Sequence, residues 1–407
     1  MQATLLAQNR EGYHPVLDGG GMADSVYRHP HALWHQITDV LHFYYPKCID
    51  HVHGGYILQL DEDDGHIYDA APRHLVSTSR MIFNFCVGDA IGGPDWCRAA
   101  ANHGLIFLLE TCYDPEHDGF AWLLDGRDVV DAERHCYGHV FALLATAAAA
   151  KIGLPRGEQA LRDVVAILEA RFKDKGTPLY LDRCSPTWEP HASRGQNANM
   201  HACEAFLLAY EAIGEERYLQ RAYDIATEVA DRLAGKAEGR IWEYYTPEWE
   251  PQWDAADGGG IEPGHQAEWA KLLCQLHTHR DEAWLLERAV DLVEGAIEYG
   301  WDDERGGFVS SVDRDGTWVR TIKYRWPVTE GIGAAACLAQ HDSTYWAWYD
   351  RFWDYATEHL INPKYGTWYR TVSVDNERHD PPRDPCFEPG YHPVNNAWAA
   401  MRVLEDG

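Results

Sequence analysis

The sequence predicts an all-α fold, an (α/α)6 barrel with short β-hairpins at one end. Three observations carry this expectation. Aromatic, strand-like segments recur six times along the 407 residues, with starts 60 to 66 residues apart. Each is followed by a helical stretch rich in Ala, Gly and Cys, and a more evenly amphipathic stretch leads to the next. Small residues suit helices crowded into an inner ring, so six helix pairs are expected to close into a toroid rather than stack as an open solenoid.

The strand-like segments are GGYILQLDEDDG (from Gly54), DGFAWLLDGRD (from Asp118), PLYLDRCSPTWEP (from Pro178), RIWEYYTPEWEPQW (from Arg240), GGFVSSVDRDGTW (from Gly306) and GTWYRTVSVDNE (from Gly366). Several read as hairpins, with DG or DN turns between β-favouring residues. The inner helices are expected over residues 74–88, 134–150, 200–213, 265–277, 326–339 and 392–404. HALWHQITDVLHFYY, LRDVVAILEARF and LLERAVDLVEGAIEYG represent the outer set, with the apolar i, i+3, i+4, i+7 spacing of a helix that keeps one face wet. No linker interrupts the pattern, so residues 1–407 read as a single domain.

Composition excludes several partners. The formal charge is −29, from 64 acidic and 35 basic residues, which leaves no basic footprint for nucleic acid or an anionic membrane surface. No apolar run reaches membrane-spanning length. The opening MQATLLAQNREGYHP lacks the basic and apolar regions of a signal peptide. Ten Cys without a CxxC pair fit reduced thiols and a cytoplasmic setting. The 17 Trp and 22 Tyr suit a cavity lined by rings.

The stretch RGQNANMHACEAFLLAYEA, residues 194–212, locates the function. From Met200 onward it is a strong helix former, yet it opens with Arg194, Gln196, Asn197, Asn199 and His201. Capping accounts for one such group, not five. If the inner helices run parallel, their starts meet at one mouth of the barrel. The polar groups there are Arg80; Tyr137 and His139; Asn199 and His201; Glu262, His265 and Glu268; Arg325, Trp326 and Glu330; Tyr391 and His392. Helix N-termini also aim free N–H groups into that pocket, which suits an anionic intermediate. HACE and HQAE share a finer pattern: His201 and Glu204, like His265 and Glu268, lie three apart on one helix face, so each Glu is expected to orient and partly charge its His.

RGQNANMHACEAFL, EPGHQAEWAKLL, YRWPVTEGIG and GYHPVNNAW resemble the matching segments of the N-acylglucosamine 2-epimerase superfamily, which includes cellobiose 2-epimerases, mannose isomerases and sulfoquinovose isomerases. The similarity runs from about Leu33 to the C-terminus, and STSRMIFNF together with NANMH is closest to the mannose and sulfoquinovose isomerase branch. The resemblance implies an (α/α)6 barrel and proton transfer at C1 and C2 of an opened monosaccharide, with no metal and no cofactor. It places two catalytic histidines on His265 of PGHQ and His392 of GYHP, a third active-site histidine on His201 and a sugar-binding arginine on Arg80. VNN after YHP departs from the sulfoquinovose isomerase pattern, at residues that would recognise a C6 sulfonate.

Chemistry then assigns expected roles. Removing the C2 proton of an aldose near neutral pH needs a base of pKa about 7, and histidine is the natural choice. His392 is expected to take that proton. His265 would assist ring opening and move protons among O1, O2 and O5, and His201, held by Glu204, would hydrogen-bond the enediolate. Arg80 and Arg325 would fix hydroxyls or neutralise charge, and Trp326 would form an apolar wall. Asn199, Glu262, Glu268 and Glu330 complete the expected binding set. The expected reaction is aldose–ketose isomerisation of D-mannose, or a related aldose such as lyxose, with D-fructose as the ketose from mannose. The alternative is 2-epimerisation on the same residues, since two facing histidines permit proton return to either face. A glycoside hydrolase built on Glu204, Glu262, Glu268 and Glu330 would not need the histidines. HVHGG, residues 51–55, lacks the context of a metal site and reads as a strand or loop.

Overall fold

The computed structural model describes residues 25–253, 260–378 and 388–406; the N-terminal stretch read above and Cys386 lie outside them. In chain order the helices are α1 Pro30–Tyr44, α2 Leu75–Ala90, α3 Cys97–Phe107, α4 Cys136–Lys151, α5 Gly157–Ile167 and α6 Asn197–Ile213. They continue with α7 Glu216–Ala226, α8 Pro263–His279, α9 Ala283–Gly300, α10 Arg325–Ala339, α11 Tyr345–Tyr355 and α12 Tyr391–Asp406. The even-numbered helices form the inner ring, each packed on the next, and α12 packs on α2 to close it. The odd-numbered helices lie outside. Each packs on the inner helix before it, and α1 covers α12, so the two ends of the described chain seal the ring together.

Side-chain size explains the two layers. α4 reads CYGHVFALLATAAAAK and is buried from Gly138 to Ala149, with no wet face. α7 buries Tyr218, Leu219, Ala222, Ile225 and Ala226 and exposes Glu216 and Gln220, as an amphipathic outer helix should. Inner helices approach closely where glycine permits: a Cβ on Gly333 of α10 would stand 2.1 Å from Asn396 Oδ1 of α12. Four outer helices end in a wide π-type turn, at Leu108–Cys112, Leu168–Phe172, Thr227–Leu233 and Ala356–Leu360.

The hairpins differ from the simple expectation. Gln59–Leu60 with Ile67–Asp69, Leu123–Asp125 with Asp128–Asp131, and Ser311–Val312 with Trp318–Arg320 are local antiparallel pairs. In the other three segments the named strand pairs with the strand that leads into the preceding inner helix. Arg183–Cys184 joins Arg134–His135, Tyr244–Tyr245 joins Arg194–Gly195, and Thr371–Val372 joins Lys323–Tyr324. Leu123–Asp125 joins Pro72–His74 in the same way, and Ile261 bridges Val312. Each strand before an inner helix carries backbone groups that need partners, and the next unit's segment supplies them.

An ion pair with a buried cation reinforces four of these junctions. Arg73 pairs with Asp50 and Arg134 with Asp114, while Arg194 Nε lies 2.9 Å from Asp174 and Lys323 Nζ 3.0 Å from Asp302. The cation stands two or three residues before an inner helix, and the acid follows the outer helix of the unit before. The starts of the inner helices, which build the mouth, are therefore pinned from behind.

Lys323 and Asp302 are both buried, so Lys323→Met should cost about 1–3 kcal/mol in urea unfolding by taking the ammonium from Asp302 Oδ2, which keeps only Arg305 at 3.7 Å. Arg162→Met, at a solvent-screened pair with Glu158 and Glu215, should cost much less. Equal losses would mean that the junction pairs do not hold the ring.

Candidate active site

The mouth opens into a cavity of about 810 Å³, within the range of small-molecule sites. Besides His135, three histidines of the inner helices line it: His201 from α6, His265 from α8 and His392 from α12. Each has a carboxylate on its Nδ1. His392 Nδ1–H donates to Glu330 Oε1 at 2.6 Å, His201 Nδ1–H to Glu204 Oε2 at 2.9 Å, and His265 Nδ1–H to Glu243 Oε1 at 2.9 Å. The carboxylate fixes the proton on Nδ1 and leaves Nε2 for the cavity.

The three rings do not carry the same charge. Burial lowers His392 well below the ordinary imidazole value, and the nearby Arg80 guanidinium lowers it further, so this ring is neutral. Burial also lowers His201, against the opposing pull of Glu204. His265 goes the other way. Burial would depress it, but the charge and hydrogen bond of Glu243, aided by Glu262, outweigh burial and raise it to about 10, so it is an imidazolium at neutral pH. The indole of Trp326 stands between the two states, 4.8 Å from the His265 ring and 5.8 Å from the His392 ring.

Beneath the histidines the barrel axis is polar. Lys271 is 1% exposed, and its Nζ donates to Glu330 Oε2 at 2.5 Å and to Asn396 Oδ1 at 3.1 Å. Glu330 also accepts from Asn396 Nδ2 at 2.7 Å. Glu204 accepts from Tyr391 Oη and from Asn395 Nδ2, both at 2.6 Å. Burial drives Glu268 well above the carboxylate range, and the neighbouring Glu330 adds to the shift. Among the described residues neither oxygen of Glu268 has a hydrogen-bond partner. It is the neutral acid of the group.

The N-acylglucosamine 2-epimerase family matches this chain over residues 55–395. The chain belongs to that family. It is 35% identical over 380 residues to the D-mannose isomerase of Marinomonas mediterranea, covering 90% of this chain and 96% of that one. It is 36% identical to the D-mannose isomerase of Thermobifida fusca, covering 74% and 77%. A crystal structure of D-mannose isomerase superposes with a TM-score of 0.89 at 34% identity, over 93% of this chain and all of that one. The cellobiose 2-epimerase of Spirochaeta thermophila shares the fold, with a TM-score of 0.82 at 20% identity over 93% and 96% of the two chains. The chain is thus an enzyme of this isomerase and epimerase family.

Arg80, His201, Glu262, His265, Arg325, Trp326 and His392 of the expected set line the cavity of this family member. Arg80 reaches Tyr137 Oη at 2.9 Å and lies over the Phe141 and Tyr391 rings. Arg325 lines the wall while holding the Glu388 carboxylate, the Trp368 carbonyl and Glu62. Four expected binding residues stand off the cavity. Asn199 is fully buried, and its amide bonds the backbone of Tyr180 and Gly195. Glu204, Glu268 and Glu330 lie behind the histidines. The second HxxE pair also differs from expectation: no hydrogen bond joins Glu268 to His265, whose Nδ1 turns to Glu243. Glu268 Oε1 lies instead 3.6 Å from His201 Nδ1. His139 leaves the mouth as well. It is fully buried, donating to the His135 carbonyl and accepting from the Phe120 amide. HVHGG forms the expected loop, with His53 on Asp50.

Several cavity residues were missed, and the repeat points to some of them. Trp122, Asp182, Glu243 and Arg370 each stand directly before a cross-unit strand, and all four line the cavity. Gln196 orders Glu243: its Nε2 donates to Glu243 Oε2 at 2.9 Å, and Trp269 Nε1–H donates to its Oε1 at 2.7 Å. Glu388 carries its charge at the wall, since Arg325 and Arg80 overcome the effect of burial.

Of the three donor groups dense enough among the described residues to consider for a metal, Asp61, Asp64 and His66 lie outside the cavity, and two lie on the barrel axis: His201, Glu204 and Glu268, and Glu268, Glu330 and His392. Their chemistry fits hydrogen bonding better. The Nδ1–H groups already face carboxylates, and the Lys271 ammonium already supplies a cation to Glu330.

These charge states predict the pH profile. The neutral His392 ring gains a proton only at pH well below neutrality, and the His265 imidazolium loses one as pH rises through about 10. kcat/KM should therefore plateau across neutral pH and fall on the alkaline side near that value. Glu243→Gln removes the strongest charge opposing burial at His265 and should move the alkaline limb to lower pH. An unmoved limb would assign it to another group.

Proposed function

We propose that this enzyme interconverts D-mannose and D-fructose, an aldose–ketose isomerisation through a cis-enediolate. The observation that carries the proposal is the pairing of a neutral His392 with a charged His265 on either side of Trp326. The His265 imidazolium gives a proton to O5 as the C1–O5 bond breaks, and takes one back from the O1 hydroxyl as C1 becomes a carbonyl. His392 Nε2 then takes the C2 proton, and electrons shift onto the C1 oxygen. Arg80 stabilises the enediolate charge. His392 returns its proton to C1, while the O2 proton passes to O1 by way of His201. One C–H bond breaks and one forms, so no oxidant, metal or cofactor enters the balance. The identities to the two D-mannose isomerases support this sugar over others.

His201 supports 2-epimerisation as a second reading. Its ring stands 6.3 Å from His392, and its Nε2 can serve another face of the same intermediate. The described residues act as one catalytic domain in this proposal. Nine buried, free cysteines favour a reducing compartment such as the cytoplasm, and no described helix is long and apolar enough to cross a membrane.

NMR of EDTA-treated protein with D-mannose in D2O tests the reading. D-fructose should appear first, with deuterium at C1 only to the extent that the proton on His392 exchanges with solvent before it is returned. Glucose without fructose would make the enzyme a 2-epimerase, and absence of both product and C2 exchange would reject the reaction. His392→Ala should lower kcat by about 10²–10⁴-fold with an unchanged circular dichroism spectrum. Retention of C2 exchange in that variant would remove His392 from the base role.

A further inference from the structure

The barrel axis behind His201 is not solid. Glu204, which holds His201 Nδ1, does not line the sugar cavity, yet its side chain keeps 9% exposure, whereas Glu268 and Glu330 keep none. Glu204 borders a second chamber of about 30 Å³ together with Glu211 of α6, Gln275 of α8 and Asn395, Ala399 and Arg402 of α12. Residues 204 and 211 lie two turns apart on one face of α6, and 395, 399 and 402 share one face of α12. The chamber is thus a seam where these two helices meet across the ring.

The seam leads outward. Glu211, Gln275, Ala399 and Arg402 also line a cleft of about 570 Å³ that includes Lys151 and His279, near the C-terminal ends of the inner helices. Lys151 Nζ and Arg402 Nη1 hold Glu211 at 2.9 and 3.0 Å, so its carboxylate is fixed at the junction. A water needs roughly 10–15 Å³ of such space and two to four polar partners. The chamber meets both conditions, with carboxylate, amide and guanidinium groups on its wall.

We propose that this seam is a water-filled proton port, connecting the His201–Glu204 pair to solvent at the rear of the barrel. The sugar occupies the front mouth and faces His201 Nε2, so the proton between Nδ1 and Glu204 is shut off on that side. Water in the seam reaches Glu204 from the opposite side and exchanges that proton while the front is occupied. The port rests on the cavities and the pair alone, whichever sugar reaction the front site performs.

Two measurements decide it. A high-resolution crystal structure should show ordered water in the chamber, hydrogen-bonded to Glu204 or Asn395 and to Glu211, Gln275 or Arg402; a dry chamber would overturn the proposal. In ¹⁵N-histidine-labelled protein the His201 Nδ1–H should exchange quickly with solvent. Ala399→Leu fills the chamber without removing a polar group and should slow that exchange by roughly tenfold or more. Leu208→Phe fills it from α6 and serves as an independent second variant, with circular dichroism to verify folding of both. Slow exchange in the parent protein, or exchange unchanged by either filled variant, would contradict a rear port.

Discussion

The ammonium of Lys271 makes the floor of the cavity possible. It is buried among Glu204, Glu268 and Glu330, and each of these carboxyls acts on it electrostatically. A buried unpaired carboxylate costs several kcal/mol, and three of them side by side could not all stay ionised beside one cation. The hydrogen bonds decide which two remain charged. Glu204 accepts from His201, Tyr391 and Asn395; Glu330 accepts from His392, Lys271 and Asn396; Glu268 accepts from none of the described residues. The two ionised carboxylates are the two that orient neutral histidines.

His265 stands outside this arrangement. Its carboxylate comes from Glu243 beside a strand, not from the barrel floor, and Glu262 adds charge 3.7 Å away. Lys271 compensates the floor but not this corner, so the negative charge falls on the imidazole and raises it. One family of side chains thus yields two protonation states because one carboxylate group has a resident cation and the other does not. Acid and base can then act on one sugar in one cavity at one pH.

Much of the ring was legible in the sequence, because composition and period are local properties. Small residues mark α4 and α10, amphipathic spacing marks α5 and α9, and the six-fold interval follows from both. The strand pairing was not legible. Arg183–Cys184 meets Arg134–His135 across nearly fifty residues, and nothing within either segment specifies that register. The His201–Glu204 contact was legible from i, i+3 geometry on one helix. The same rule misled at His265 and Glu268, since it names neighbours on a helix but not the competitors that approach from other elements. Glu243 is such a competitor. Lys271 did leave a signal: it lies three residues after Glu268 in a helix otherwise built for burial, where an unpaired lysine is rare.

The proposed chemistry stands on opposite charges at His265 and His392, and histidine-resolved NMR titration of the free enzyme measures them directly. At neutral pH His265 should be doubly protonated and titrate near 10, while His392 should be neutral with its proton on Nδ1. Two neutral rings at neutral pH, or a protonated His392 beside a neutral His265, would contradict the account.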